Sequence, residues 1–290
     1  SKIQYPISNI QDPVFIQVKD SSKALAIIAS NFYNNPSEKI KLIGVTGTNG
    51  KTTTVTLLHQ LYRKLGYNVG LISTIQNRIN EAVITPSAIY PKPATSPPAK
   101  TQWRAGNLQP ATRLTTPDPV TINQLLDKMI KSACSYCFME VSSHAIVQNR
   151  VAGLHFSGGV FTNITHEHLD YHGSFDEYIT TKKQFFDALP SSAFALVNHD
   201  DKRWHVMLQN TRAAKYSYAL KSVADFKAKL VSNTLEGLEL EVDGKQVWFK
   251  LIGTFNAYNL LAAYSTAVLL GEVTQQLVPR TLDSYSDKVG

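Results

Sequence analysis

Short apolar segments alternate with longer segments of helical periodicity along most of the chain. Residues 40–45 are apolar and rich in β-branched side chains, which is typical of a buried parallel strand. In residues 51–65, four leucines lie on one face of a helix that Gly66 would end. The same patterns predict strands at 69–73, 135–141, 158–163 and 193–198, and helices at 21–33, 120–132 and 175–188. Such alternation predicts a parallel sheet covered on both faces.

The pattern changes near Phe226. Residues 238–242 and 246–249 alternate apolar and polar side chains around Asp243-Gly244, a dipeptide that suits the tight turn of a β-hairpin. A short strand at 14–18 and a final amphipathic helix at about 257–270 complete the pattern. We therefore predict an α/β fold, in which a doubly wound, mostly parallel sheet carries an appended antiparallel section.

Composition narrows the class of protein. With 43% hydrophobic residues, 12 Phe and 13 Tyr, the 290-residue chain can fill a sizeable core, which excludes an intrinsically disordered protein. Its longest strongly apolar segment, residues 260–270, is shorter than the roughly 20 residues of a membrane span, so we expect no membrane partner. Two cysteines make no disulfide framework and fit a cytoplasmic protein. We interpret Cys134 and Cys137 as core residues.

The net charge of +7 suits nucleic acid or any other polyanionic ligand. Residues 82–117 contain no Asp or Glu and carry four of these seven net charges. Six of the 13 prolines lie between Pro86 and Pro110. This composition predicts a long, extended loop rather than part of a core.

A glycine-rich segment, residues 44–53, joins the strand at 40–45 to the helix at 51–65. Glycines let the backbone approach phosphates, and free N–H groups at the helix start point at them. Lys51 would neutralise nucleotide phosphates and Thr52 would place its hydroxyl on Mg²⁺. The strict G-x-x-x-x-G-K-[ST] pattern fails because Val45 stands at its first glycine. The context still predicts a phosphate-binding loop.

Three other segments carry candidate chemistry. Glu140 ends an apolar strand, where phosphate-loop enzymes place an acid that holds Mg²⁺. Residues 166–172 contain three histidines, of which His168 could bind a metal or have a purely structural role. Lys182 and Lys183 lie on the helix at 175–188, and composition alone predicts that both face solvent.

Several motifs together resemble the Mur ligase family. They occur in the family's order and cover most of the chain from about residue 40 to 271: Gly47-Thr-Asn-Gly-Lys-Thr-Thr53, Thr115-Thr-Pro-Asp-Pro119, Glu140-Val-Ser-Ser-His-Ala145, Gln148-Asn-Arg150, Thr162-Asn163, His168-Leu-Asp-Tyr-His-Gly173 and Gly253-Thr-Phe-Asn-Ala-Tyr-Asn259. The resemblance is strongest to members that add the third amino acid of the peptidoglycan stem peptide. It implies an ATP- and Mg²⁺-dependent ligase acting on UDP-N-acetylmuramoyl-dipeptide and an amino acid, diaminopimelate or lysine.

The resemblance also implies roles for individual residues. ATP would be bound by Gly47, Thr48, Asn49, Gly50, Lys51, Thr52 and Thr53, with Asn163 near the phosphates and Asn256 and Asn259 near the adenine. The UDP-linked substrate would contact Thr115, Thr116, Ser142, Gln148 and Arg150. Mg²⁺ would be bound by Thr52, Glu140, His168 and a carbamylated Lys182. Lys51, Lys182 and His168 would then act in catalysis, through an acyl-phosphate on the substrate carboxylate.

The resemblance to the family also implies a division of the chain into three segments. Residues 1–36 resemble the end of an N-terminal UDP-binding domain, 37–272 a central ATP-binding domain with a Pro-rich insertion at 85–112, and 273–290 a linker to a further ligase domain. We therefore expect this segment alone to be inactive in ligation. We also expect a monomer.

Other functions are kept as alternatives. They are another Mur ligase, a folylpolyglutamate synthase-like ligase, a nucleic-acid-binding protein and a non-catalytic nucleotide-binding remnant. The chain shows no recognition motif with its own basic face, so we expect no nucleic-acid partner.

Overall fold

The computed structural model describes residues 16–85, 114–165 and 173–271. Its strands are β1 (Lys41–Thr46), β2 (Val69–Ile72), β3 (Asn77–Ile79), β4 (Ala82–Ile84), β5 (Tyr136–Glu140), β6 (Gly158–Phe161), β7 (Phe194–Asn198), β8 (Ala214–Ala219), β9 (Phe226–Asn233), β10 (Leu238–Val242) and β11 (Lys245–Phe249). Its helices are α1 (Ser21–Phe32), α2 (Lys51–Lys64), α3 (Pro119–Lys131), α4 (Ser143–Val147), α5 (Phe175–Asp187), α6 (Trp204–Met207) and α7 (Thr254–Leu269).

The described strands form one sheet, in the order β11-β10-β9-β8-β7-β6-β1-β5-β2-β3-β4. Neighbours from β9 to β2 are parallel, whereas β9-β10-β11 and β2-β3-β4 are antiparallel. The predicted α/β class with an appended antiparallel section is confirmed. The second antiparallel edge, β3 and β4, was not predicted, because two strands of three residues are too short to show alternation.

The predicted hairpin joins β10 to β11. Val242 pairs with Lys245, and Asp243 and Gly244 between them both have positive φ, at 50° and 74°. A two-residue turn with two positive φ angles matches the twist of the strands it connects, which explains the Asp-Gly sequence.

Two hydrophobic cores lie on opposite faces of the sheet. On one face, Leu58 of α2 and Leu260 of α7 pack on strand residues that include Val45. On the other face, Leu126 of α3 and Phe186 of α5 pack on strand residues such as Leu42. Successive side chains of β1 thus enter different cores, because side chains alternate across a strand. The sheet is doubly wound as predicted.

The central strands direct their carboxyl ends to one edge. β1 lies between β5 and β6, with β7 beyond β6, and all four are parallel. The segments after these strands contain Gly47, Ser142, Asn163 and Asp200. In doubly wound sheets, ligands bind in the crevice outside this edge.

Some predicted element limits need correction. Residues 16–18 form neither strand nor helix, so this part of the strand at 14–18 was wrong. The last helix begins at Thr254 rather than at 257. Most of the Pro-rich segment 85–112, and residues 273–290, lie outside the described residues. In the described part of the chain, no helix combines the length and apolar character that crossing a membrane requires.

Candidate functional site

The loop from Gly47 to Gly50 connects β1 to α2 and requires glycine at both ends. Gly47 and Gly50 have φ angles of 148° and 86°, which L side chains rarely adopt. A Cβ atom on Gly47 would collide with Thr162 Oγ1, and one on Gly50 would collide with Asn259 Oδ1. The glycines therefore allow close approach between the loop and two other segments.

Lys51, the first residue of α2, folds its side chain back over this loop. Its Nζ donates hydrogen bonds to the carbonyl oxygens of Gly47, at 2.9 Å, and Thr48, at 2.8 Å. The ammonium group thus lies beside the helix N-terminus, where backbone N–H groups also favour an anion. The predicted phosphate loop has the strand–loop–helix geometry that its chemistry needs.

A second lysine reaches the same carbonyl from α5. Lys182 Nζ donates to Gly47 O at 3.0 Å and lies 4.5 Å from the centre of the Tyr178 ring. The residue is only 1% exposed, so the solvent-facing position expected from composition is wrong. Lys183 was also expected to face solvent, but its side chain is 12% exposed and pairs with Asp187.

Glu140, at the end of β5, is 1% exposed, and its carboxylate is surrounded by hydrogen-bond donors. Its carboxylate accepts hydrogen bonds from Thr52 Oγ1 at 2.9 Å, Thr74 N at 2.8 Å and Thr74 Oγ1 at 3.1 Å. Of the predicted Mg²⁺ ligands, Thr52, Glu140 and Lys182 are described, and Thr52 and Glu140 are in direct contact. A hydroxyl and a carboxylate in contact fit Mg²⁺, which prefers hard oxygen ligands.

Thr116 organises the segment that follows β5. Its Oγ1 donates to Glu140 O at 2.8 Å and accepts from Ser142 N at 3.0 Å. Its carbonyl accepts from Arg150 Nη1 at 2.8 Å, and the Arg150 guanidinium also donates to Gln148 Oε1. The fold thus joins four of the five predicted substrate-contacting residues in one network.

The loop after β6 holds the phosphate loop from the other side. Asn163 Oδ1 accepts from Asn49 N at 3.0 Å, and Asn163 Nδ2 donates to Asn49 O at 3.1 Å. Thr162 Oγ1 also donates to Asn49 O, at 2.7 Å, and Thr48 N donates to Asn163 O at 2.8 Å. Asn163 therefore positions the phosphate loop.

Two cavities flank the loop. The smaller, of about 260 Å³, lies on the side of α4 and α5; its lining includes Lys51, Thr115, Ser142, His144, Arg150 and Lys182. The larger, of about 730 Å³, lies on the side of α7; its lining includes Gly50, Thr53, Asn163, Asp200, Tyr258 and Asn259. Each predicted binding region therefore has its own cavity.

Asn256 and Asn259 have different positions on α7. Asn259 lines the larger cavity and donates from Nδ2 to Asn256 Oδ1 at 3.1 Å. Asn256 is buried behind it and donates to Ile252 O at 2.9 Å. Of the two, Asn259 is therefore placed to contact a ligand, and Asn256 orients it.

Asp200 and Tyr258 also line this cavity, and sequence reasoning missed both. Burial acts to raise the pKa of Asp200, but hydrogen bonds from Ser222, Lys221 and Tyr258 outweigh it and hold that pKa well below its ordinary value. One signal was available, because Asp200 follows a predicted strand at the carboxyl edge of the sheet.

Two further predictions concern metal ligands and thiols. His168 lies outside the described residues, and within residues 16–85, 114–165 and 173–271 no three His, Cys, Asp or Glu side chains cluster as metal ligands. Cys134 and Cys137 are buried free thiols, as expected of core residues. Burial raises the pKa of Cys134 to about 11, which disfavours the reactive thiolate.

Comparison with curated proteins finds close relatives that are named as ligases. The chain is 57% identical over 272 residues to the UDP-N-acetylmuramoyl-L-alanyl-D-glutamate–2,6-diaminopimelate ligase of Cytophaga hutchinsonii, which covers 94% of the chain and 51% of that protein. It is 47% identical over 277 residues to the ligase of the same name from Parabacteroides distasonis, with the same coverage. The chain spans about half the length of these relatives.

Solved structures share the fold. A solved structure of a UDP-N-acetylmuramoyl-L-alanyl-D-glutamate–2,6-diaminopimelate ligase superposes with a TM-score of 0.71 at 23% identity, over 90% of this chain and 50% of that one. The D-alanyl-D-alanyl-adding ligase of Acinetobacter baumannii gives 0.63 at 18% identity, over 92% and 50%. The family model described as the Mur ligase middle domain matches residues 45–267. The chain therefore belongs to the Mur ligase family, and its residues 45–267 match the family's middle domain.

Proposed function

We propose that this chain is part of an ATP-dependent ligase that adds diaminopimelate to UDP-N-acetylmuramoyl-L-alanyl-D-glutamate in the cytoplasm. The names of the relatives from Cytophaga hutchinsonii and Parabacteroides distasonis support this reaction and favour diaminopimelate over lysine. The observation that carries the proposal is the phosphate loop between two cavities, one large enough for a nucleoside and one rich in cations.

The charge of the smaller cavity supports an anionic substrate. Lys51 and Arg150 line it, as does Lys182, which adds a positive charge until it is carbamylated, and no carboxylate is present among its described lining residues. Such a cavity attracts a substrate carboxylate and phosphate groups. Thr115, Ser142 and Arg150 would hold the UDP-linked dipeptide so that its free carboxylate faces the phosphate loop.

The larger cavity would take the nucleoside of ATP. It begins at Gly50 and Thr53, beside the first turn of α2, and extends to Asn259. Backbone N–H groups at that turn would bind the phosphates, and Lys51 would move from the carbonyls of Gly47 and Thr48 to the γ-phosphate. The free carboxylate of the substrate would accept the γ-phosphoryl group and release ADP. The amino group of diaminopimelate would then attack this acyl-phosphate, which forms the amide and releases phosphate.

Thr52 and Glu140 would hold Mg²⁺, with His168 and a carbamylated Lys182 as the further ligands that the family resemblance implies. When bound, the ion would withdraw negative charge from the phosphate oxygens. Thr74 holds the Glu140 carboxylate through two hydrogen bonds and so keeps it aimed at Thr52.

We also propose the domain limits expected from the sequence: 1–36 for the end of the UDP-binding domain, 37–272 for the central ATP-binding domain and 273–290 for the linker that follows it.

Binding measurements with two ligands test this assignment. Lys51→Ala should weaken ATP binding to the chain by about tenfold or more, because a charge-assisted hydrogen bond contributes roughly 1.5–3 kcal/mol. Arg150→Ala should weaken binding of UDP-N-acetylmuramoyl-L-alanyl-D-glutamate and leave ATP binding within about twofold. Isothermal titration calorimetry measures both.

Exposed residues supply the controls. Lys131 pairs with Asp127 on α3, and Arg212 is exposed before β8. Alanine at either position should leave both affinities unchanged. ATP affinity that survives Lys51→Ala would overturn the phosphate-loop assignment, and dipeptide affinity that survives Arg150→Ala would overturn the substrate assignment.

A further inference from the structure

Asp200 lies just after β7 and joins three segments around the larger cavity. Its carboxylate accepts hydrogen bonds from the backbone N–H groups of Leu220 and Lys221, both at 2.9 Å, and of Ser222, at 2.8 Å. It also accepts from the hydroxyl of Tyr258 on α7, at 2.9 Å. The loop after β8 and the first half of α7 are thus held by one carboxylate.

The same residue is connected to the phosphate loop through its backbone. Asp200 N donates to Asn198 Oδ1 at 3.1 Å, and Asn198 Nδ2 donates to Thr162 O at 2.9 Å. Thr162 Oγ1 in turn donates to Asn49 O, within the phosphate loop, at 2.7 Å. An unbroken series of hydrogen bonds therefore runs from the phosphate loop across the ends of β6 and β7 to Asp200.

The connection returns to the phosphate loop through α7. Tyr258 precedes Asn259, whose amide packs against Gly50 so closely that a Cβ atom at Gly50 would collide with it. Asp200, Tyr258, Asn259 and Gly50 all line the larger cavity. The network is therefore a closed ring of contacts along the wall of the larger cavity: it runs from the phosphate loop to Asp200 and back through α7. Asp200 is the residue at which the loop after β8 also joins it.

The chemistry of the ring requires an anion at position 200. Four N–H or O–H groups point at one carboxylate, and an ionised carboxylate offers only acceptors. An asparagine would present an NH₂ group to part of this donor set and repel it. A carboxylate with these partners also supports the low pKa of Asp200 described above.

We propose that Asp200 is a positioning residue for the nucleotide: through Tyr258 it sets the distance between the α7 wall of the larger cavity and the phosphate loop. This inference rests on the proposed function, in which that cavity takes the nucleoside of ATP. Asp200 acts through α7 and Asn259.

The experiment compares two variants with two matched controls. Asp200→Asn removes the anion. Tyr258→Phe removes a single hydrogen bond and keeps the aromatic ring of the side chain. Asp225 also accepts backbone and side-chain donors from Ser217, at 2.8 and 2.7 Å, but does not line the cavity, which makes Asp225→Asn a control. Tyr264 donates to Asp243 from the same helix as Tyr258, so Tyr264→Phe controls for loss of a tyrosine hydroxyl.

Equilibrium binding of ATP and of UDP-N-acetylmuramoyl-L-alanyl-D-glutamate is measured for all five proteins. We expect the dissociation constant for ATP to rise at least tenfold in Asp200→Asn and at least threefold in Tyr258→Phe. The dissociation constant for the UDP-linked dipeptide should stay within twofold of wild type in both variants. Both controls should stay within twofold for both ligands. Equal loss of both ligands would indicate a general loss of structure and overturn the proposal.

Hydrogen–deuterium exchange without ligand gives an independent readout. Asp200→Asn should raise exchange at residues 254–259 and at 47–53, while α3 stays protected as in wild type. Exchange that rises only at residues 220–222 would overturn the proposal, because the loss of the carboxylate would then not affect α7 or the phosphate loop. If wild-type chain binds no ATP, the proposed function fails, and the exchange pattern still decides the inference about Asp200.

Discussion

The carbonyl oxygen of Gly47 accepts hydrogen bonds from two lysine side chains that are far apart in sequence. Lys51 comes from the start of α2 and Lys182 from α5, at 2.9 and 3.0 Å. Two like charges that converge on one buried acceptor repel each other, and an anion placed between them would relieve that repulsion. At the residue scale, the resting site is thus arranged to gain from binding a phosphate or a carboxylate.

Local pattern identified the residues of the loop but not their partners. Lys51 and Thr52 follow the glycines, and Glu140 ends an apolar strand, so each stands out in the sequence. Thr74 and Tyr258 carry no such signal, because their partners Glu140 and Asp200 lie 66 and 58 residues away. Hydrogen bonds over such separations form only once the chain has folded.

His59 provides a residue-scale prediction about pH. Burial chiefly, together with the positive charge of Arg78, lowers the pKa of His59 from 6.5 to about 4, although Glu81 and a hydrogen bond to the backbone of Asn80 raise it. The imidazole of His59 takes up a proton near pH 6.5 in the unfolded chain but only near pH 4 in the folded one. Protonation therefore favours the unfolded chain, and the free energy of unfolding is highest above pH 6.5 and falls as the pH drops to about 4.

The size of the effect follows from the pKa difference. Between pH 6.5 and 4, wild type should lose about 3 kcal/mol more unfolding free energy than His59→Gln. Urea unfolding at several pH values measures this. His205→Gln, at an exposed position on α6, is the control and should follow wild type. Parallel pH profiles for wild type and His59→Gln would contradict the prediction.

At the element scale, the segment Thr115-Thr-Pro-Asp-Pro119 combines two tasks. Thr116 bonds to the end of β5 and to Ser142, in the region proposed for substrate. Asp118 instead caps α3: its side chain accepts from the N–H groups of Val120 and Thr121, both at 3.0 Å, and Pro119 occupies the first helical turn. The motif therefore joins a binding segment directly to a helix start.

The contribution of the Asp118 cap to the free energy of unfolding can be measured. Asp118→Ala should lower the free energy of unfolding by about 1 kcal/mol, within a range of roughly 0.5–2, whereas Asp118→Ser should keep most of it. Asp127→Ala on the same helix removes only an exposed pair with Lys131 and should cost at most about 0.5 kcal/mol. A loss for Asp127→Ala as large as that for Asp118→Ala would show that the cap is not the cause.

At the scale of the whole molecule, one sheet separates two cores. Leu58 is fully buried on one face and Leu126 on the other. Because both cores contact the same strands, we expect the described fold to unfold as one cooperative unit. Leu58→Ala and Leu126→Ala should each cost about 2–5 kcal/mol and shift the urea midpoint without a second transition. A separate transition in either variant would show that the two faces unfold independently.

The sequence by itself determined most of the local elements, the hairpin turn and the glycine-rich loop between β1 and α2, because periodicity, Asp-Gly and clustered glycines act over a few residues. It also carried enough motifs to indicate the family. The tertiary structure alone decided that Lys182 is buried, that β3 and β4 extend the sheet, and that Asp200 joins α7 to the phosphate loop. These features depend on which distant segments pack together, and burial is a property of that packing rather than of any single segment.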